Sequence, residues 1–250
     1  MSSLLEGKTV LVTGARGGIG QALVKALLDA RVAGVIAADR SPVVAGLDSH
    51  VRHIVLDVTD AQAAEKAAAE CRVDIVVNNA GVNGNRGMFE PGAAQQCRSE
   101  MEVNYFGLFN MARAFSPAMK TRRSGAFVNL LSFAAFANFP SMATYSASKA
   151  AARSLTQALR SELGLFGVRV IGVYPRMVDT AMSAHLPLEK TSPHEVAQAV
   201  VAALTSEIDD VFPGNAAASY ESFLRDPIAW ERACGQRLPR SSLAAVEARA

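Results

Sequence analysis

Tyr145 and Lys149 stand four residues apart in a helical pattern, so a phenol and an amine share one face. A phenol has a reference pKa of about 10 and is a poor base at neutral pH. A neighbouring ammonium favours the phenolate, and lowering the pKa by about three units needs roughly 4 kcal/mol of differential stabilisation. The pairing therefore predicts a proton-transfer group. The same spacing also serves ordinary helix-surface pairs, so other residues must support it. Ser132 is one: it follows the apolar run 126–131, at a strand end, where a hydroxyl can steady charge developing on a substrate oxygen. Read alone, Ser132 is a loop serine bonded to its own backbone.

A second constellation lies near the N-terminus. Thr13, Gly14, Ala15, Arg16, Gly17, Gly18, Ile19 and Gly20 run between an apolar stretch and a helical pattern. Glycines give such a turn its unusual backbone angles and let the main chain approach a pyrophosphate. Free N–H groups at the helix start then hold the anion. Asp39 closes the next apolar run, about 20 residues on, where a carboxylate accepts hydrogen bonds from an adenosine ribose. Such a carboxylate repels a 2′-phosphate, so NAD is expected in preference to NADP. Arg16 and Arg40 work against that preference, because either guanidinium could pair with a phosphate. A bound nicotinamide cation would add to Lys149 in favouring the Tyr145 phenolate.

These groups need elements to hold them. Residues 8–13, 34–38, 51–56, 73–77, 126–131 and 168–174 read as buried strands. Between them lie helical patterns at 21–30, 61–71, 93–120 and 144–165, and another follows at 192–204. Residues 210–212 could add a last strand. Strand–helix alternation with near-continuous apolar strands predicts an α/β fold, a parallel sheet with helices on both faces. Residues 1–250 carry no repeat or linker and read as a single domain. The pattern weakens after Pro175, which makes 176–190 the expected lid, and 215–250 reads as a helical tail.

Composition excludes several classes. Hydrophobic residues at 50% and charged residues at 19% argue against disorder. A net charge of +2 without a basic block argues against a nucleic-acid partner. Cys71, Cys97 and Cys234 show neither metal spacing nor a disulfide framework, and His50, His53, His185 and His194 form no metal pair. Residues 124–148 carry no charge, yet Asn129, Ser132, Asn138, Pro140, Ser141 and Thr144 interrupt any membrane span. Residues 1–8 lack the apolar core of a signal peptide. A soluble, cytoplasmic protein without a metal is expected.

Taken together, the residues resemble the short-chain dehydrogenase/reductase family in its compact branch. The likeness spans Thr13 to Thr180 and rests on the glycine turn at 13–20, Asp57-Val58, Asn78-Asn79-Ala80-Gly81, Asn104, Ser132, Tyr145 and Lys149, in that order. It implies a Rossmann-type doubly wound sheet and direct hydride transfer between a nicotinamide and an alcohol/ketone pair. Tyr145 would be the general acid/base and Ser132 would orient the carbonyl. Lys149 would hold the nicotinamide ribose, and Asn104 would support a water leading to solvent. Gly14, Arg16, Gly18, Ile19, Gly20, Asp39, Arg40, Asp57, Val58, Asn79, Ala80, Gly81, Pro175, Val178 and Thr180 would line the cofactor path. The sequence departs from the family at Pro175-Arg176, where Pro-Gly is usual, and in lacking the glycine-rich ending. The resemblance also implies a homodimer or homotetramer.

Asn83, Phe133, Phe139, Met177 and Met182 are the expected substrate contacts, with Asn85, Phe136, Asn138, Met142 and Leu186 nearby. Their apolar balance points to a hydrophobic or aromatic ketone or secondary alcohol. Three rivals stand: a dinucleotide-binding sensor or scaffold without catalysis, an epimerase or dehydratase that keeps its nicotinamide, and an S-adenosylmethionine enzyme. The first has no need of Asn104, Ser132, Tyr145 and Lys149 together. The second is generally longer, and the third leaves Tyr145 and Lys149 unexplained.

Overall fold

Apolar side chains at successive strand positions point to opposite faces, so strands apolar on both faces must be covered twice. The computed structural model, which describes residues 5–42 and 48–236, shows that arrangement in a single α/β domain. The chain runs β1 (Thr9–Thr13), α1 (Gly18–Asp29), β2 (Gly34–Asp39), β3 (Val51–Val55), α2 (Ala61–Glu70), β4 (Ile75–Asn78), α3 (Ala93–Met101), α4 (Gly107–Arg122) and β5 (Gly125–Leu130). It continues through α5 (Ala143–Gly164), β6 (Val168–Val173), α6 (Pro193–Leu204), β7 (Asp210–Val211), α7 (Ala216–Arg225) and α8 (Pro227–Gly235). The expected tail residues 237–250 lie outside the described residues.

The seven strands are all parallel, in the order β3-β2-β1-β4-β5-β6-β7. The order reverses between β1 and β4, which opens a crevice at the carboxyl ends of those strands. Val10 and Val12 of β1 pack with Leu23 and Leu27 of α1 and Val196 and Val200 of α6 on one face. Leu11, between them in sequence, faces Met111, Phe115 and Met119 of α4 and Leu163 of α5 on the other. Each such side chain contributes roughly 1.5–3 kcal/mol by leaving water, so the sheet is a rigid base for its loops.

The expected unbroken helix over 93–120 is a correction. A π-helical turn, Glu102–Phe106, separates α3 from α4. An extra residue in the turn rotates Asn104 inward, where it is 3% exposed. Gly107 follows for a steric reason: a Cβ there would lie 2.6 Å from Val58 Cγ2.

Beyond β7, α7 and α8 supply Tyr220, Phe223 and Trp230 to an aromatic cluster with Phe133, Phe136 and Phe139. The Phe133 ring lies 5.2 Å from Trp230 and 6.3 Å from Phe223, while Phe212 and Tyr220 stack at 4.0 Å. The C-terminal helices thus press on the segment that directly follows Ser132.

Candidate active site

The glycine turn leaves β1 and enters α1 with Gly14 at φ +62°, a left-handed conformation suited to glycine. A Cβ on Gly20 would lie 2.3 Å from the Gly14 carbonyl, and one on Gly18 would lie 2.9 Å from Thr180 Cγ2. No side chain caps α1 and its first turn holds no acidic residue. Among the described residues, the amides of Gly18, Ile19 and Gly20 have no protein acceptor. A helix start with open donors and no competing carboxylate fits a diphosphate.

Other residues brace this cradle. Asn79 Nδ2 donates to the carbonyls of Thr13 (2.9 Å) and Gly14 (3.0 Å), and Thr13 Oγ1 accepts from the amides of Asn79 and Ala80 at 3.0 Å each. Ala80 packs so close that a Gly14 Cβ would meet its Cα at 2.9 Å. The Asp39 carboxylate accepts from the amides of Arg16 (3.2 Å) and Ser41 (3.3 Å), which puts it at the rim of the turn. Arg16 and Arg40 are exposed beside it. Asp57 accepts from the amide and hydroxyl of Thr59. Val58 turns inward: its side chain is buried against Gly107, leaving only its main chain for an adenine.

A cavity of about 420 Å3 opens at the strand ends. Ser132, Tyr145 and Lys149 share its wall with Ile19, Asn79, Gly81, Pro175, Val178 and Thr180. Asn83, Asn85, Phe133, Phe139, Met142, Met177, Met182 and Leu186 also line it. Phe136 and Asn138 do not. Phe136 belongs to the aromatic cluster, with Arg153 over its ring at 4.3 Å, and Asn138 donates to the Ala143 carbonyl. The Phe133 ring is only 1% exposed, so it backs the cavity and turns toward Trp230.

Tyr145 stands in the first turn of α5, and Lys149 follows on that helix's buried face with Ser146, Ala152 and Thr156. Lys149 Nζ donates to the Leu130 carbonyl at 2.8 Å and lies 5.8 Å from the centre of the Tyr145 ring. Ser132 Oγ accepts from the Ala134 amide at 3.1 Å and also hydrogen bonds the Tyr145 phenol. The expected bond of Ser132 to its own backbone is therefore present, and its hydroxyl also meets Tyr145. Asn104 binds both main-chain groups of Val82 and donates to Ser148 Oγ at 2.9 Å. A small void of about 10 Å3 lies among Asn104, Asn78 and Lys149, about the space one water needs.

Burial dominates the electrostatics of the unliganded site. Burial pushes the Tyr145 phenol up to about 12, against a lowering by its bond to Ser132; the Glu100 charge also raises it. Burial pulls Lys149 down to about 8. Without a ligand, desolvation therefore outweighs any pull from Lys149, and the phenol rests protonated.

Arg176 lies in the cavity wall and turns toward the C-terminal helices. Its Nη1 donates to Ser219 Oγ at 3.0 Å, and its guanidinium lies 5.8 and 6.0 Å from the Phe133 and Trp230 ring centres. Sequence reasoning missed Ser141, Leu188, Glu189 and Asn215, which also line the cavity. It also missed Glu100, a carboxylate that reads as surface by type, although its place four residues before Asn104 puts both on one helical face. Among the described residues no cluster of potential metal ligands occurs, and no helix is long and apolar enough to cross a membrane.

The family model for short chain dehydrogenases matches residues 8–191. This chain belongs to the short-chain dehydrogenase family. It is an oxidoreductase of that family by its relatives as well. An uncharacterised oxidoreductase of Staphylococcus saprophyticus is 31% identical over 216 residues, covering 80% of this chain and 92% of the relative. The 2,3-dihydro-2,3-dihydroxybenzoate dehydrogenase of Bacillus subtilis is 34% identical over 205 residues, covering 77% and 78%. A short chain dehydrogenase of Burkholderia cenocepacia, solved with NADP, superposes with a TM-score of 0.88 at 38% identity, covering 92% of this chain and 98% of the other.

Proposed function

We propose that this short-chain dehydrogenase interconverts a secondary alcohol and a ketone, with Tyr145 as general acid/base. The carrying observation is convergence: Ser132, Tyr145 and Lys149 reach one cavity beside Ile19 of the glycine turn and Thr180. A nicotinamide dinucleotide, when bound, supplies or accepts the hydride. Gly14, Gly18 and Gly20 would leave room for its diphosphate, Asn79, Ala80 and Gly81 would wall its path, and Lys149 would hold its ribose.

In the reduction direction, Ser132 orients the carbonyl oxygen and Tyr145 gives it a proton. Lys149, with a pKa of about 8, is largely cationic at neutral pH and stabilises the phenolate left behind. A water in the void beside Asn104 would return a proton through Lys149. The apolar walls favour a hydrophobic or aromatic substrate. Met182 and Leu188 stay 43% and 53% exposed at the cavity mouth, which supports a role for 176–190 as a lid closing on such a molecule. The absence of a disulfide among Cys71, Cys97 and Cys234 supports a reducing cytoplasm. A homodimer or homotetramer follows the family's habit.

Asp39 at the rim of the turn favours NAD. The NADP seen in the Burkholderia relative, with Arg16 and Arg40 exposed here, supports NADP as the second reading. An absorbance assay over varied secondary alcohols and ketones with both cofactors tests the whole proposal. Cofactor-dependent turnover is expected, and Asp39→Ala should erode an NAD preference by roughly tenfold, the size of one lost charge-assisted hydrogen bond. Stoichiometric cofactor retained without net consumption would favour an epimerase or dehydratase instead.

A further inference from the structure

Glu100 is 1% exposed and, among the described residues, has no cation within ion-pairing distance. Both of its oxygens nonetheless accept hydrogen bonds. Oε1 accepts from the Gly84 amide at 2.8 Å and from Gln96 Nε2 at 3.3 Å, and Oε2 accepts from Thr144 Oγ1 at 2.5 Å. Gly84 lies between Asn83 and Asn85, both in the cavity wall, and Thr144 immediately precedes Tyr145. The loop passes close to α3 here, where a Cβ on Gly84 would lie 2.2 Å from the Gln96 side chain.

We propose that Glu100 is a positioning residue: its carboxylate clamps the loop bearing Asn83 and Asn85 to the first turn of α5, so that the substrate wall and Tyr145 are held as one unit. The inference rests on the reading of Tyr145 as proton donor. A carboxylate held by neutral donors could be replaced by an amide at little structural cost, and its desolvated charge works against stability. Among charged groups near the phenol, Lys149 of α5 and Arg176 and Glu189 share the cavity wall. Arg98 and Glu102 face solvent, and Arg86 of the loop donates to the Pro91 carbonyl. The Glu100 charge adds to burial in raising the Tyr145 phenol.

The test uses the full chain with Glu100→Ala, Glu100→Gln and Thr144→Val, scored by kcat, by cofactor affinity and by the pH at which ring-labelled Tyr145 begins to titrate in carbon NMR. That resonance is assigned by its loss in Tyr145→Phe. Glu100→Ala and Thr144→Val should lower kcat by roughly 10- to 100-fold, the scale of a sub-ångström misplacement, with cofactor affinity within about twofold. Glu100→Gln keeps hydrogen-bonding atoms in place, so it should recover most of that kcat while its Tyr145 titration starts at lower pH. Overturning results are kcat within about twofold of wild type in both Glu100→Ala and Thr144→Val, or an unmoved Tyr145 titration in Glu100→Gln. If Glu100→Ala does not fold, the other two variants decide. Full kcat in Tyr145→Phe would instead sink the proton-donor reading, and the NMR titration would still judge Glu100.

Discussion

Lys149 shows how a site residue can work against its own fold. Its ammonium is buried at 5% exposure with one carbonyl partner, and its pKa falls to about 8. The sign follows from proton counting. Between the folded value and the reference value near 10.5, the unfolded chain holds the proton and the folded chain does not. This group's contribution to stability is therefore fully present above pH 10.5 and is lost as pH falls through about 8. Lys149→Met should accordingly raise stability at pH 7 by about 1–3 kcal/mol while abolishing turnover, and the gap should narrow above pH 8. Urea unfolding midpoints of both proteins at pH 7 and pH 9 check this. A variant less stable than wild type at pH 7 would mean that the Leu130 bond outweighs desolvation.

At the scale of elements, the glycine turn makes the sharpest claim. A Cβ on Gly20 would lie 2.3 Å from the Gly14 carbonyl and 2.7 Å from Ala15 Cα, both main-chain atoms that cannot swing away. Gly20→Ala should distort the turn and weaken dinucleotide binding by at least about tenfold, with the sheet intact. Calorimetric titration of the cofactor, alongside circular dichroism, separates those two effects. This turn was legible in the sequence because glycine has few other reasons to recur between a strand and a helix. The strands were legible for a related reason: a parallel sheet buries both faces, so its strands are runs of Val, Ile and Ala whose side chains divide between two cores. The π-helical turn at Glu102–Phe106 was not legible, because no Gly or Pro lies within it and the phase shift from one inserted residue is lost in so short a pattern. Glu100 was hidden for a different reason, since its burial is satisfied by Gly84, Gln96 and Thr144, partners distant in sequence or neutral in character. The rise of the Tyr145 phenol in the unliganded chain was not legible, because desolvation depends on depth, which no spacing reports.

For the whole molecule, the C-terminal helices and the loop after β5 form one packed body. Phe133 follows Ser132 directly and lies between Trp230 and Phe223, and Arg176 ties the loop after β6 to Ser219 of α7. Arg176 serves as a strut between the cavity wall and α7. Arg176→Gly should lower stability by about 1–2 kcal/mol through the lost hydrogen bond, ring contacts and added backbone freedom. It should also speed proteolysis within 216–235. Limited digestion and thermal melts read both effects, and an unchanged pattern would show that α7 and α8 dock without the strut.

The central claim is that the Tyr145 hydroxyl carries the proton while the fold separately carries the cofactor. The most direct measurement is single-turnover reduction of a ketone by pre-bound reduced cofactor in wild type and Tyr145→Phe. The account predicts cofactor affinity within about twofold and a hydride-transfer rate lower by roughly 100- to 10,000-fold, the usual worth of a positioned acid. A Tyr145→Phe enzyme that transfers hydride at the wild-type rate would contradict it.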